Sequence, residues 1–162
     1  MATQFSGALP NAPRYIVPAM SEALYNTAIL RLAANVPPPR LVDPQASVQR
    51  VSPVCGSRVT VDIDLDDAGR VMAFGQEVRA CALGQAAAAL LAAHVTGRSA
   101  TDLDGAVTAF KAYLKGERDD PGDWPGLDVF APARPHKARH ASILLAFDAA
   151  AAAAHAATKV AA

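Results

Sequence analysis

The first regular hydrophobic spacing in the chain is Leu24, Ala28 and Leu32, with Tyr25 and Ile29 beside it. This predicts a helix over 22–34, capped by Ser21 and stopped by Pro37, Pro38 and Pro39. Residues 46–54 carry Val48 and Val51 but are broken by Pro53, which suits an edge strand. In 58–65 the period changes to two: Val59, Val61, Ile63 and Leu65 alternate with Arg58, Thr60, Asp62 and Asp64, predicting a strand with one face in water. Asp66, Asp67, Ala68 and Gly69 form a turn, and 70–78 returns with Val71, Met72 and Phe74 as the second arm of a hairpin. Helical spacing resumes over 82–95 (Leu83, Ala87, Leu90, Leu91, His94) and stops at Gly97. A further helix, capped by Ser99 or Thr101, repeats Leu103, Val107, Phe110 and Leu114 up to Gly116. The connection 117–137 is rich in Pro, Gly and Asp, and Trp124, Leu127, Val129 and Phe130 are expected to pin part of it to the core. A last helix over 138–159 carries Ile143, Leu144 and Phe147 and then a tract of alanine.

Strands that run together and helices that follow them point to an α+β fold, a three-stranded antiparallel sheet packed against about four helices. The expected organisation is an irregular arm over 1–20, with Pro10, Pro13 and Pro18, and one domain over 21–160. Composition changes the picture of the core: 38 residues are alanine, so the helices must pack through small faces. With 15 basic and 15 acidic residues the formal net charge is zero, which gives no long-range field for nucleic acid or an anionic membrane. The apolar helices are interrupted by His94, Asp148 and His155, and the first twenty residues lack the basic-then-apolar order of a signal peptide. A cytoplasmic protein is expected, and in that reducing compartment its two cysteines, Cys55 and Cys81, are expected to be free thiols.

Asp62, Asp64, Asp66 and Asp67 are spaced like the start of a calcium loop, but the sixth and twelfth positions are Asp67 and Ala73 where Gly and Glu are needed. They read as the polar side of a strand. No phosphate-binding glycine loop, zinc-protease helix or serine-hydrolase elbow is present. The cysteines are the informative residues. Cys55 enters the alternating strand and Cys81 follows the returning one, so a hairpin with nearly equal arms brings both thiols to one end of the sheet. Cys81 also opens a helix, where unpaired amides and the dipole favour a thiolate, and Arg79 and Gln85 lie close to it in sequence.

Three blocks in order resemble the NifU/IscU-type iron-sulfur cluster scaffold family, particularly its SufU-like branch with a longer connection before the last helix. They are Cys55-Gly56-Ser57-Arg58-Val59-Thr60-Val61, then Ala80-Cys81-Ala82-Leu83-Gly84-Gln85-Ala86 with Thr96-Gly97-Arg98, then Arg139-His140-Ala141-Ser142-Ile143-Leu144. The chain departs from the family in two informative places. Ser57 stands where the family has aspartate, and the family's third cysteine falls on Ala141 if the histidine is matched, or on Ser142 if the helix is.

The resemblance implies a cluster-assembly scaffold rather than an enzyme. Cys55, Cys81 and His140 would take sulfur or hold iron, a transient cluster or zinc, with Ser57 and Ser142 as weaker substitutes. A cysteine desulfurase and cluster-accepting proteins would be the partners. Two other readings accompany it: a degenerate scaffold that only binds partners, and a persulfide carrier or thiol enzyme using Cys55 or Cys81 as nucleophile with His140 as base. The long connection, with Trp124, either closes over this end of the fold or is simply anchored.

Overall fold

The strictly alternating segment becomes the middle of the sheet. In the computed structural model, which describes residues 24–162, β1 (Ala46–Val51), β2 (Arg58–Leu65) and β3 (Val71–Arg79) pair antiparallel in the order β1-β2-β3. β1 is an edge strand that ends before Pro53, as the missing amide requires. Among the described residues, four helices accompany the sheet: α1 (Thr27–Ala33), α2 (Ala82–His94), α3 (Ala100–Leu114) and α4 (Lys137–Ala161), with a 3-10 helix (Leu127–Ala133) before the last. The proposed cap Ser21 and the arm 1–20 lie outside the described residues. α1 starts later than its stripe predicts, because Asn26 is extended and its side-chain oxygen accepts the Ile29 amide at 3.0 Å, an N-cap inside the apolar run. For α3 it is Ser99 that caps, in a reciprocal box with Asp102.

One expectation fails on the sheet. The polar side of β2 is not wet at its centre, where Thr60 is buried and Asp62 is 0% exposed, while Arg58 and Asp64 at its ends reach solvent. The chain between α1 and β1 crosses that face as a strap. Asp62 takes hydrogen bonds from Arg40 Nε (2.6 Å), from an Arg40 Nη (3.1 Å) and from the Leu41 amide (3.0 Å), and Pro38 O accepts the amide of Gln76. Gly75, the cross-strand partner of Asp62, lets the strap come down, since a Cβ there would strike the carbonyl of Pro39.

The opposite face carries the main core. Val59, Val61 and Ile63 of β2 meet α4, which is flanked by α2 and α3. α4 is long and apolar enough to cross a membrane, yet 67% of its most apolar stretch is buried inside this fold, as expected of a core helix. Its alanines are what permit that close packing: Ala149, Ala150, Ala153, Ala154 and Ala157 are all at 0% exposure. Phe110 lies between Phe130 (5.4 Å) and Phe147 (5.5 Å), and Trp124 stacks edge-on to Phe147 at 5.2 Å. The Trp124 indole donates to Leu90 O at 2.9 Å. The connection 117–137 is therefore anchored in the core through Trp124, Leu127 and Phe130, with Val129 only partly buried against it.

Candidate two-cysteine site

The register of the sheet builds the site. Val51 pairs with Arg58 and Arg58 with Arg79, so all three strands finish level, and the loop 52–57 and Cys81 emerge side by side. That loop is closed by two backbone bonds, Ser52 N to Ser57 O (2.7 Å) and Gly56 N to Ser52 O (3.0 Å). The left-handed backbone of Gly56 (φ +69°) makes the tight closure possible. Cys55 is thereby held out at the surface, and Cys81, half-buried, takes the N-cap position of α2.

Between the two thiols runs a line of hydroxyls. Cys55 Sγ lies 2.9 Å from Ser57 Oγ, Ser57 Oγ lies 3.3 Å from Ser142 Oγ, and Ser142 Oγ lies 3.3 Å from Cys81 Sγ. Ser57 and Ser142 are both buried. Ser142 reaches this position because Gly84 of α2 has no side chain: a Cβ on Gly84 would lie 3.0 Å from Ser142 Oγ and 3.2 Å from its carbonyl. Of the two α4 residues that match the family's third cysteine, Ser142 is thus the one whose side chain meets Cys81, while Ala141 lines a separate groove with Ser52 and Pro53.

The environment of Cys55 favours its thiolate. Its pKa is lowered to about 7, first by the Ser52 hydroxyl and then by the hydroxyl and amide of Ser57, against a small opposing effect of burial. Ser52 is 1% exposed, and its hydroxyl has no hydrogen-bond partner within the fold. A buried hydroxyl left in that state is stabilised by an anion beside it. Sequence reasoning missed Ser52; its signal is the pair of serines that bracket the cysteine in Ser52-Pro53-Val54-Cys55-Gly56-Ser57.

Three other candidates are placed differently. The Nε2 of His140 lies 3.0 Å from Ala133 O and 3.1 Å from Arg134 O; because carbonyls only accept, that nitrogen carries the proton and is engaged at the end of the 3-10 helix. Arg79 pairs with Glu77, two residues back on the same side of β3, at 3.2 Å. Gln85 donates to Ala80 O and lines a groove between α1 and α2, because one residue past Gly84 the helix has turned by about 100° away from α4. Among the described residues, no group of three His, Cys, Asp or Glu side chains stands ready to hold a metal ion.

The site is therefore a pair of free thiols joined by serine hydroxyls at the end of an α+β sheet. Compared with solved structures, the chain is similar to the N-terminal part of a nitrogen-fixing NifU-like protein from Brucella abortus, with 38% identity, 87% of this chain and 99% of that one covered, and a TM-score of 0.81. The chain belongs to the NifU-like family, whose fold it shares. A protein from Fervidobacterium islandicum AW-1, described as an iron-sulfur cluster assembly scaffold for the SUF system, matches 83% of this chain and 98% of its own with a TM-score of 0.75. At 16% identity it bears on the fold alone. No protein-family model and no curated protein matches the chain.

Proposed function

We propose that this protein is a scaffold in iron-sulfur cluster assembly, on which Cys55 and Cys81 receive sulfur and ligate the iron of a nascent cluster. The observation that supports it is the convergence of the two thiols through Ser57 and Ser142 on a NifU-like fold. The cluster is cargo here. Iron-sulfur clusters are commonly held by four thiolates. Two thiolates and two neutral hydroxyls leave the remaining iron positions to water or to a partner's ligands, which suits a cluster that must leave. The protein acts as a carrier rather than a catalyst. It meets a cysteine desulfurase on the supply side and cluster-accepting proteins on the other, in the cytoplasm, and its working unit is the single domain of residues 21–160.

The donor set does not fit a resident zinc ion. Structural zinc takes four ligands from cysteine, histidine or carboxylate, and Ser57 and Ser142 are not of that kind. The Nε2 of His140 would join a metal only after giving up its two carbonyl bonds.

Anaerobic reconstitution with ferric iron, sulfide and a thiol reductant tests the reading. The native chain is expected to form a coloured species that Cys55→Ala and Cys81→Ala each abolish; a colourless native protein overturns it. A second reading, a persulfide carrier without bound iron, draws on the exposed Cys55 with its lowered pKa. A colourless protein that nevertheless accepts sulfur on Cys55 would establish it instead.

A further inference from the structure

A groove of about 380 Å³ opens between the end of β1, α3 and α4, immediately beside the loop that carries Cys55. Its floor is apolar, made by Val51, Pro53, Leu144 and Leu145, and Ser52 and Pro53 belong both to its wall and to the cysteine loop. Three permanent cations, Arg50, Lys111 and Lys115, line it against a single acid, Asp148. Lys115 also lines an adjoining hollow with Lys137, Glu117 and His140.

Several cations elsewhere on the molecule are already engaged. Arg40, Arg70, Arg79 and Arg118 each pair with a carboxylate. Among the described residues, Arg50, Lys111 and Lys115 stand in no close ion pair, although Lys111 and Arg50 act on the Asp148 carboxylate at longer range. Arg50 only donates, at 3.3 Å, to the carbonyl of its neighbour Gln49. On a chain whose formal net charge is zero, a local excess of unpaired cations around an apolar floor is an electrostatic address for an acidic surface with an apolar residue to bury. Val51, 49% exposed, is one such contact left open.

We infer that this groove is the docking site for an acidic, apolar-anchored segment of the protein that delivers sulfur to Cys55. The inference rests on the sulfur-accepting reading above. A segment seated on Pro53 lies two residues from Cys55 along the chain, so docking and delivery are adjacent. The lysines of α3 steer the encounter, and the apolar floor fixes the register.

The experiment uses the full chain and two readouts. In the first, binding of a short fluorescent peptide that alternates Glu and Leu is measured by anisotropy, with a Lys and Leu peptide, single-stranded DNA and anionic lipid vesicles as competitors. The acidic peptide is expected to bind, to weaken as salt rises, and to lose at least about tenfold in affinity in the Lys111→Glu/Lys115→Glu variant, with a smaller loss in Arg50→Gln. In the second, the rate of sulfur transfer to Cys55 from the desulfurase of the same organism is expected to fall about tenfold in the double variant at low salt, while alkylation of Cys55 by iodoacetamide is unchanged. Unchanged affinity and rate in that variant overturn the inference, as does equal or tighter binding of the basic peptide, DNA or vesicles. The two readings fail differently: if the acidic peptide binds through the lysines but Cys55 takes up no sulfur, the acidic docking groove stands and the sulfur-accepting reading falls.

Discussion

Two polar clusters sit on the same sheet and are built on opposite principles. On the strap side, Asp62 is a charge with no access to water, satisfied by Arg40 and by the amide of Leu41. At the cysteine end, Cys55, Ser57, Ser142 and Cys81 form a line of weak donors and acceptors with no counter-charge, one end of which is exposed, and Ser52 beside it is left without a partner. The first cluster has nothing to gain from a ligand, because every short bond is already made. The second is under-satisfied as it stands, and an anion at Cys55 would improve it. A polar group that closes a fold and one that waits for chemistry differ in this respect more than in their residue types.

The largest effect is expected from breaking the closed cluster. Arg40→Ala strips the buried carboxylate of its counter-charge and, with Arg40 itself 43% exposed, should cost about 2–3 kcal/mol in urea unfolding, with Cys55 alkylation unchanged. The pH dependence should also invert. Burial raises the Asp62 pKa, but the bonds from Arg40, Ser47 and Leu41 outweigh it and hold the group below its usual carboxylate value. A depressed carboxylate contributes stability that is present above the unfolded pKa and is lost as pH falls through the folded one. The native chain should therefore lose stability on acidification below the ordinary carboxylate range. In Arg40→Ala only the burial effect and weaker bonds remain, so acidification should recover part of the lost stability. An equal loss at every pH would show that the strap is held by packing and not by the charge.

The next effect sharpens the contrast from the other side. Ser142→Cys places a third sulfur beside Cys81 without changing the fold, because Ser142 Oγ already lies 3.3 Å from that thiol. A thiolate is a far better iron ligand than a hydroxyl, so the reconstituted cluster should persist about tenfold longer against a chelator than in the native chain. If the variant gains nothing, the site is not limited by its missing thiol.

Most of this architecture is legible from periodicity. The strict alternation in 58–65 and the turn at Asp66 to Gly69 place the hairpin correctly, and the hairpin alone puts Cys55 and Cys81 at one end. What the pattern could not show is contact made across the chain. The strap over Asp62 depends on Arg40, 22 residues earlier, so an alternating strand looks solvated until that segment is folded onto it. Gly75 is its trace, a glycine inside a strand marking a close backbone approach. Gly84 marks the approach of α4 in the same way. Arg79 and Gln85 are near Cys81 along the sequence and His140 is near Ser142, but their rotation about helix or strand directs them to local partners instead. Neighbourhood in sequence was the weakest guide to the site; the order of the three family blocks was a better one, since it placed Ser57 and Ser142 where they meet.

The smallest effect tests whether the open cluster is indeed waiting for an anion. Ser52→Ala removes the hydroxyl that contributes most to lowering the Cys55 thiol, while the backbone bonds that close the loop are retained. In the native chain, alkylation of Cys55 by iodoacetamide should rise with pH to half its maximum near the pKa of about 7. In the variant that midpoint should move upward, toward the ordinary thiol value of about 8.5, and the rate at neutral pH should fall about three- to fivefold. Urea unfolding should change by less than about 1 kcal/mol, because the lost hydroxyl has no hydrogen-bond partner and its removal leaves only a small void. The two measurements together set this cluster apart from the one around Asp62: there stability moves and thiol reactivity does not, and here the reverse is required. An unshifted midpoint would mean that Ser57 alone holds the thiolate and that the unpaired hydroxyl of Ser52 is a defect of packing.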